Sequence, residues 1–177
     1  LERSTVLATD GDDIRPNAEQ AAAIEAIEAI IDDGFSRHLL LGVTGSGKTE
    51  VYIRLIKSVI ARGRTALMLV PALALTPQTA SRLFHRFPEA KIALLHSGLT
   101  QAQRNQQWTM VAQGDAQIVL GARSAIFAPI PDDSIVICTF GDASSNHATA
   151  QTAFNTAQWT AYQKLPAPVL YVCEDNG

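Results

Sequence analysis

Apolar and polar residues alternate along the chain with two different periods, and the first clear period is helical. Behind Asn17, a good N-cap residue, the isoleucines Ile24, Ile27 and Ile31 recur three or four residues apart. Gly34 then interrupts the pattern, as glycine commonly does at the end of a helix. The sequence therefore predicts an amphipathic helix that begins at Asn17 and ends at Gly34.

Short apolar runs farther along the chain predict buried strands, because they are nearly continuous and stop at glycine, proline or polar residues. These runs are residues 38–41, 65–70, 91–95, 117–120, 135–138 and 168–172. Helical spacing recurs between them at residues 51–60, 76–87, 100–112 and 149–164. This alternation is typical of an α/β fold, a parallel sheet with helices on both faces. We expect residues 17–177 to form one such domain behind a polar linker or tail, residues 1–16.

The composition is that of a globular protein with a substantial core. Of the 177 residues, 47% are apolar and 18% are charged, which argues against disorder. No apolar run reaches the ~18 residues that span a bilayer, and no signal-peptide layout opens the sequence. We therefore expect a soluble, cytoplasmic protein with no membrane partner. Cys138 and Cys173 lie in apolar stretches without metal-binding spacing, which favours buried core residues over a disulfide or metal site.

The charge distribution is uneven although the net charge is only −3. Most lysines and arginines lie between Lys48 and Arg104, whereas the stretch from Ser124 to Gln163 is poor in charge of either sign. A basic region of this kind can contact nucleic-acid phosphates. Solvated helix faces explain the same residues equally well, so charge alone does not decide between these interpretations.

The segment after the first predicted strand carries the clearest chemistry. It reads Gly42-Val43-Thr44-Gly45-Ser46-Gly47-Lys48-Thr49, which matches a phosphate-binding P-loop. Its glycines let the backbone curl so that N–H groups point at phosphate oxygens, and the following helix aims its positive end at the same anion. Lys48 adds a charge toward the β- and γ-phosphates, and the Thr49 hydroxyl is a ligand for Mg²⁺. The sequence predicts binding of ATP or ADP with Mg²⁺.

Four blocks of sequence, the P-loop among them, closely resemble the primosomal replication-restart DNA helicases (primosomal protein N′, PriA type). The blocks are residues 41–52, Leu75-Thr76-Pro77-Gln78-Thr79, Leu94-Leu95-His96-Ser97-Gly98-Leu99 and Ala122-Arg123-Ser124-Ala125-Ile126-Phe127-Ala128-Pro129. They occur in the family's order and at its spacing, and the likeness is good over residues 17–131. The resemblance implies the first RecA-like lobe of a superfamily 2 helicase.

The resemblance also implies roles for particular residues. Gln20 matches the family glutamine that reads the adenine edge, although it would serve equally as an ordinary helix-capping residue. Residues that match the family's single-stranded DNA path are Thr76, His96, Ser97, Gly98 and Arg123. Each of these, taken singly, is also explained as loop structure. The implied partners are single-stranded or forked DNA, a second helicase lobe, and primosome or single-strand-binding proteins.

The sequence departs from the family where hydrolysis takes place. The family has Asp-Glu-Glu-His after its next buried strand, where a gapless extension places Thr139-Phe140-Gly141-Asp142. Thr139 cannot supply a full charge to Mg²⁺, and Phe140 cannot orient water, so Asp142 is the available substitute. The family's Gly-Ser-Ala-Thr corresponds to Val172-Cys173-Glu174-Asp175. Because charge stabilisation supplies most of phosphoryl-transfer catalysis, we expect a lobe that binds nucleotide but hydrolyses it poorly.

Three other interpretations remain open. The chain could be an active DNA-dependent ATPase, the motor lobe of a 3′–5′ helicase, with its missing acids supplied by Asp142 or another chain. It could be a DNA- or protein-binding scaffold in which the P-loop is a relic. A small-molecule kinase is the least favoured, because the DNA-path blocks argue against it. Nucleotide titration and turnover assays separate these alternatives.

Overall fold

A computed structural model describes residues 15–34, 36–43, 45–71, 77–141 and 169–175 of the chain. Within them, strands and helices alternate as the sequence predicts. The elements in chain order are α1 (Ala18–Glu28), β1 (Arg37–Val43), α2 (Lys48–Ala61), β2 (Ala66–Leu69), α3 (Pro77–Arg86), β3 (Ile92–Leu95), α4 (Gln101–Ala112), β4 (Ile118–Gly121), a 3₁₀ helix (Arg123–Phe127), β5 (Ile135–Gly141) and β6 (Val169–Asp175). None of the helices in this part of the chain is long and apolar enough to cross a membrane.

The six strands form one parallel sheet in the order β1-β6-β5-β2-β4-β3. All strands run the same way, so their carboxyl ends, and the loops that leave them, lie along one edge of the sheet. Parallel neighbours need a crossover connection, and helices α2, α3 and α4 lie between successive strands from β1 to β4. The predicted α/β architecture is confirmed.

Two apolar layers hold the helices against the sheet. On one face, Ile24 of α1, Ile56 of α2 and Leu83 of α3 belong to a cluster that includes Ile137 of β5. On the other face, Val111 of α4 and Ala125 of the 3₁₀ helix join a cluster that includes Leu67 of β2. Alternate residues of a strand point to opposite faces, so each central strand contributes to both clusters. The predicted placement of helices on both faces is therefore confirmed.

The predicted bounds of several elements were wrong. Helix α1 ends at Glu28 and the chain continues in turns to Gly34, whose φ of 93° is left-handed. The apolar pattern is thus helical for about three turns, and Ile31 lies in the turns that follow the helix. Strands β5 and β6 continue to Gly141 and Asp175, beyond the predicted ends at residues 138 and 172. The predicted helix at residues 149–164 lies outside the described residues.

Strand β1 was expected to be buried, but only one of its faces is covered. Leu39, Leu41 and Val43 are 64%, 67% and 60% exposed, whereas the residues between them are partly buried. Strand β1 is the outermost strand of the described sheet, paired with β6 alone. The exposed residues pair with Tyr171 and its alternate neighbours in β6, so they lie on the face whose helix, α4, packs over β3 at the opposite edge.

Candidate nucleotide-binding site

The structure places the predicted P-loop between the end of β1 and the start of α2. Gly45 and Gly47 have φ angles of 81° and 80°, a left-handed conformation that residues with a Cβ rarely adopt. A Cβ atom at Gly42 would lie 2.7 Å from the Ser46 hydroxyl oxygen, so a larger residue there would displace the Ser46 side chain. The backbone is therefore curled as the phosphate-loop interpretation requires. Thr44 lies outside the described residues.

Lys48 begins helix α2, and its side chain folds back over the loop. The residue is only 8% exposed, and its Nζ donates hydrogen bonds to the carbonyl oxygens of Gly42 and of Val43, the latter at 2.7 Å. Backbone carbonyls thus satisfy the ammonium group in this conformation. A phosphate oxygen is a stronger, charged acceptor for the same group.

The first turn of α2 offers the donors that an anion needs. Gly47 is the N-cap and supplies no side-chain hydrogen bond, so the first N–H groups of this 14-residue helix have no side-chain cap. Thr49 is exposed, and its hydroxyl oxygen accepts a hydrogen bond from the Tyr52 hydroxyl at 3.2 Å. These groups fit a nucleotide phosphate, and the Thr49 hydroxyl fits one Mg²⁺ ligand. No cluster of three or more His, Cys, Asp or Glu side chains occurs among the residues whose side chains are described.

Gln20 contacts the P-loop directly although it belongs to α1. Its side-chain carbonyl accepts from the Asn17 N–H at 2.9 Å, and its N–H donates to the Asn17 side chain at 2.8 Å. This reciprocal pair is a capping box, so the capping interpretation is correct. The side-chain amide also donates to the Ser46 carbonyl oxygen at 3.0 Å. Gln20 therefore caps its helix and, with the same side chain, lies at the loop where a nucleotide would bind.

The sequence predicted that Thr139 follows the strand that ends at Cys138. In the structure Thr139 lies within that strand, β5. It is 8% exposed, and its hydroxyl donates to the Leu69 carbonyl oxygen in the neighbouring strand at 3.3 Å. Strand alternation puts Thr139 on the same face as Ile137, the face that α2 covers. Phe140 is the next strand residue, but its side chain lies outside the described part of the chain, as does the whole of Asp142.

The candidate DNA-path residues that the structure describes gather at the other end of the same edge. His96, Ser97 and Gly98 follow β3, and the Gly98 N–H donates to His96 Nδ1 at 3.1 Å. The N–H of Ala122, after β4, donates to the carbonyl oxygen of Leu95, the last residue of β3, at 3.2 Å, so the two loops begin side by side. Arg123 begins the 3₁₀ helix there, although its side chain is not among those described. Thr76 lies outside the described residues.

The predicted P-loop and the candidate DNA-path loops lie at opposite ends of the sheet edge. Strands β1 and β3 are the two outermost strands, five positions apart in the sheet. At about 4.8 Å between neighbouring strands, the two sites are roughly 24 Å apart. The sequence could not give this separation, because it depends on the strand order.

Sequence reasoning missed two features beside these sites. Phe127 is 79% exposed and Ile126 is 45% exposed, both on the 3₁₀ helix whose Ala125 is buried. Small and large apolar residues alternate around these two positions, and this pattern could have indicated the short helix from the sequence. The second feature is Glu50, a buried acid next to Thr49. Its ion pairs with Arg54 and Arg86 could not be read from the sequence, because Arg86 is remote along the chain.

Comparison with known families places the sequence among helicase-related proteins. The profile of the family described as "Type III restriction enzyme, res subunit" matches residues 13–159. Curated relatives named replication restart protein PriA include those of Bacillus subtilis, 43% identical over 120 residues, and Synechocystis, 37% identical over 154 residues. The alignments cover 67% and 84% of this chain but only 15% and 18% of those proteins. The chain thus spans less than a fifth of the length of these two relatives.

Solved structures with the same fold are also helicases or related motors. RecG bound to a three-way DNA junction has a TM-score of 0.71 at 19% identity, covering 91% of this chain and 21% of that one. The UvsW helicase of bacteriophage T4 has a TM-score of 0.57 at 18% identity, covering 92% and 54%. At these identities the likeness shows the fold, a RecA-like helicase lobe.

Proposed function

The chain belongs to the family of the Type III restriction enzyme res subunit and is similar to the first helicase lobe of the replication restart protein PriA; from this we propose that it binds ATP or ADP. In our proposal it is the nucleotide-binding lobe of a superfamily 2 replication-restart helicase. The lobe takes Mg²⁺ with the nucleotide and hydrolyses ATP poorly. The proposal assigns the phosphates to Gly45, Gly47 and Lys48, and the metal to Thr49.

The observation that carries nucleotide binding is the contact between Gln20 and the P-loop. The loop has the curled backbone and buried lysine of a phosphate site. Gln20, 26 residues away in sequence, donates to Ser46 in that loop. A loop that merely connected a strand to a helix would have no need for an amide from another helix at its tip. In our proposal this amide reads the base of the bound nucleotide, which is adenine.

We propose poor hydrolysis because of the side chains near the end of β5. Phosphoryl transfer depends on a carboxylate that holds Mg²⁺ and on a residue that orients water. The buried hydroxyl of Thr139 already donates a hydrogen bond to the Leu69 carbonyl oxygen. The next residue, Phe140, has no polar group in its side chain. Neither residue type can act as a general base at neutral pH. Losing both acids lowers the rate of hydrolysis by several orders of magnitude in this proposal.

We further propose that the opposite end of the sheet edge contacts single-stranded or forked DNA. The support is the pair of loops at residues 96–98 and 123–127, which leave the neighbouring strands β3 and β4 side by side. The described loops hold few cations, so this chain alone binds DNA weakly. A second helicase lobe, and primosome or single-strand-binding proteins in the cytoplasm, would complete the activity.

One sample and two measurements test the proposal. Isothermal titration of the 177-residue chain with ADP and with ATP, each with Mg²⁺, measures nucleotide affinity. Steady-state ATP turnover with and without single-stranded DNA measures hydrolysis. Binding with turnover near background is the expected result. Absence of binding would favour the scaffold interpretation.

Robust turnover would contradict the proposed loss of hydrolysis. In that case Asp142→Asn identifies the catalytic acid, because activity lost in this variant would assign the metal ligand to Asp142. Activity retained would place the catalytic acid elsewhere.

A further inference from the structure

A buried carboxylate lies in the first turn of α2, immediately after the proposed metal ligand. Glu50 is 6% exposed, and each of its carboxylate oxygens accepts from a different arginine. Oε1 lies 2.8 Å from Arg54 Nε, one helical turn along α2, and Oε2 lies 2.8 Å from Arg86 Nη2 on α3. The three groups carry two positive charges and one negative charge, so the cluster has a net charge of about +1.

The position of this cluster relative to the phosphate loop gives it an electrostatic effect on that loop. Glu50 is two residues from Lys48, which corresponds to about 3 Å along the axis of a helix. Its negative charge is favourable at a helix N-terminus, but it lies at the same end that the helix presents to the phosphates. Alone, the carboxylate would repel a nucleotide. Its two guanidinium partners reverse the sign of the local charge.

Arg86 is the partner whose burial makes this effect strong. Its side chain is 9% exposed, compared with 36% for that of Arg54, so water screens its charge less. Its Nε is buried without a hydrogen-bond partner in the described part of the chain. Buried ion pairs are poor contributors to stability, because desolvation offsets the attraction between the charges. Stability alone is therefore a weak explanation for placing Arg86 here.

We propose that Glu50 and Arg86 set the nucleotide affinity of the P-loop through their opposite charges. Glu50 lowers the affinity for phosphates and Arg86 raises it, and neither residue needs to touch the nucleotide. This inference rests on the proposed nucleotide binding and adds two residues to it. The inference predicts a distinctive result for two single substitutions, one at Glu50 and one at Arg86. Each breaks the same ion pair, but the two shift the nucleotide affinity in opposite directions.

The test measures ADP affinity by titration in the wild-type chain, Glu50→Gln, Arg86→Gln and the double variant. Glu50→Gln should tighten ADP binding by about threefold to tenfold, since charges that do not touch interact only modestly in a partly solvated site. Arg86→Gln should weaken binding by a similar factor. The double variant should return close to the wild-type affinity. The gap between the single variants should narrow as salt increases.

Matched variants separate charge from shape. Arg86→Lys keeps the charge but loses the fork geometry, so its ADP affinity should stay near that of the wild type. Arg54→Gln makes the same formal change at a more exposed site and should have the smaller effect. ATP, which carries one more negative charge than ADP, should enlarge every shift. Melting temperature and circular dichroism, measured on each variant, identify the folded proteins, and Arg86→Lys provides the comparison if Arg86→Gln does not fold.

The outcomes distinguish this inference from the proposed function. If wild-type chain binds ADP but both single variants weaken binding, Glu50 and Arg86 have only a structural role and the inference is wrong. An Arg86→Lys variant as weak as Arg86→Gln leads to the same conclusion. If the wild-type chain binds no ADP, the proposed function fails and this inference fails with it.

Discussion

The ammonium nitrogen of Lys48 lies 2.7 Å from the carbonyl oxygen of Val43. Both residues belong to the loop that is predicted to bind phosphate. Two backbone carbonyl groups thus hold the charged lysine side chain in place. In the proposed nucleotide complex, phosphate oxygens would replace these neutral acceptors. The replacement would gain charge-assisted hydrogen bonds.

Lys48→Ala should weaken ADP and ATP binding about tenfold or more, which corresponds to a lost contact of roughly 1.5–3 kcal/mol. Titration calorimetry measures the change. Lys57→Ala, at another lysine of α2, is the matched control and should leave the affinity unchanged. An unchanged affinity in Lys48→Ala would contradict the P-loop interpretation.

Gln20→Glu should separate the two contacts of this side chain. Glutamate retains the acceptor for the Asn17 N–H but turns the donor toward Ser46 into an acceptor, which leaves two oxygens facing each other. We expect the free energy of unfolding to fall by about 1–3 kcal/mol, and the preference for ADP over GDP to be lost. Affinities for both nucleotides, with chemical denaturation, measure these effects.

Asn17→Ala is the control for Gln20→Glu. It removes the cap and should lower stability by about 0.5–2 kcal/mol. The contact of Gln20 with Ser46 remains available, so the ratio of ADP to GDP affinity should stay at the wild-type value. A ratio that changes equally in both variants would mean that Gln20 acts only through the cap.

Thr139→Asp should make stability dependent on magnesium. A carboxylate at this buried position loses most of its hydration, and an unpaired buried charge costs about 3–5 kcal/mol. Mg²⁺ with ADP should restore part of that loss. The difference in melting temperature with and without Mg²⁺–ADP should therefore exceed that of the wild type.

Thr139→Asn controls for shape, because it places a neutral group of the same size as aspartate at the site. It should lose stability without the additional Mg²⁺-dependent gain. Adding Phe140→Glu to Thr139→Asp supplies the water-orienting acid, although the family's second lobe normally supplies an arginine as well. Full hydrolysis is therefore not expected from this chain alone. If aspartate and asparagine respond equally to Mg²⁺, residue 139 does not face the metal.

Single-stranded DNA should bind this chain weakly, with a shallow dependence of log affinity on log salt, because the loops at residues 96–98 and 122–127 contain one arginine and no lysine. Phe127 is largely exposed beside those loops, and a nucleobase can stack on its ring. Phe127→Ala should weaken binding by roughly 1–3 kcal/mol in a low-salt fluorescence titration. Phe84→Ala, an exposed phenylalanine on α3, should change little. A tight complex at high salt would contradict the weak-binding proposal.

Alkaline pH should destabilise the sheet near Cys138 and Tyr171, which are register partners in β5 and β6. Burial raises the pKa of the Cys138 thiol to about 11 from 9.0. Burial, and then the neighbouring Cys138, raises the pKa of Tyr171, while Arg37 opposes the rise. Below pH 9 the thiol keeps its proton in both states. Between about pH 9 and 11 it ionises only when unfolded, so stability falls.

Urea denaturation at several pH values measures this loss, and Cys138→Ala supplies the comparison. The variant should be less stable at neutral pH because it loses buried volume. Its decline between pH 9 and 11 should nevertheless be shallower than that of the wild type. Parallel profiles would mean that the thiol does not contribute to alkaline unfolding.

The sequence by itself determined the order and type of the described strands and α-helices, and the position of the phosphate loop. These features are local: helical or strand spacing repeats within a few residues, and the P-loop glycines act on their own backbone angles. For this reason α4, capped by Thr100 and Gln103, lies where the pattern predicts it. The ends of β5 and β6 were placed less well, because the length of a strand depends on its neighbours.

The tertiary structure alone decided which residues meet. Gln20 and Ser46 are 26 residues apart, Glu50 and Arg86 are 36 apart, and Thr139 and Leu69 are 70 apart. Each contact depends on the strand order and on the face that each helix covers. The exposure of Leu39 on β1 has the same origin. Apolar residues specify that a strand pairs and is covered, but its place in the sheet is set by packing among elements that are distant in sequence.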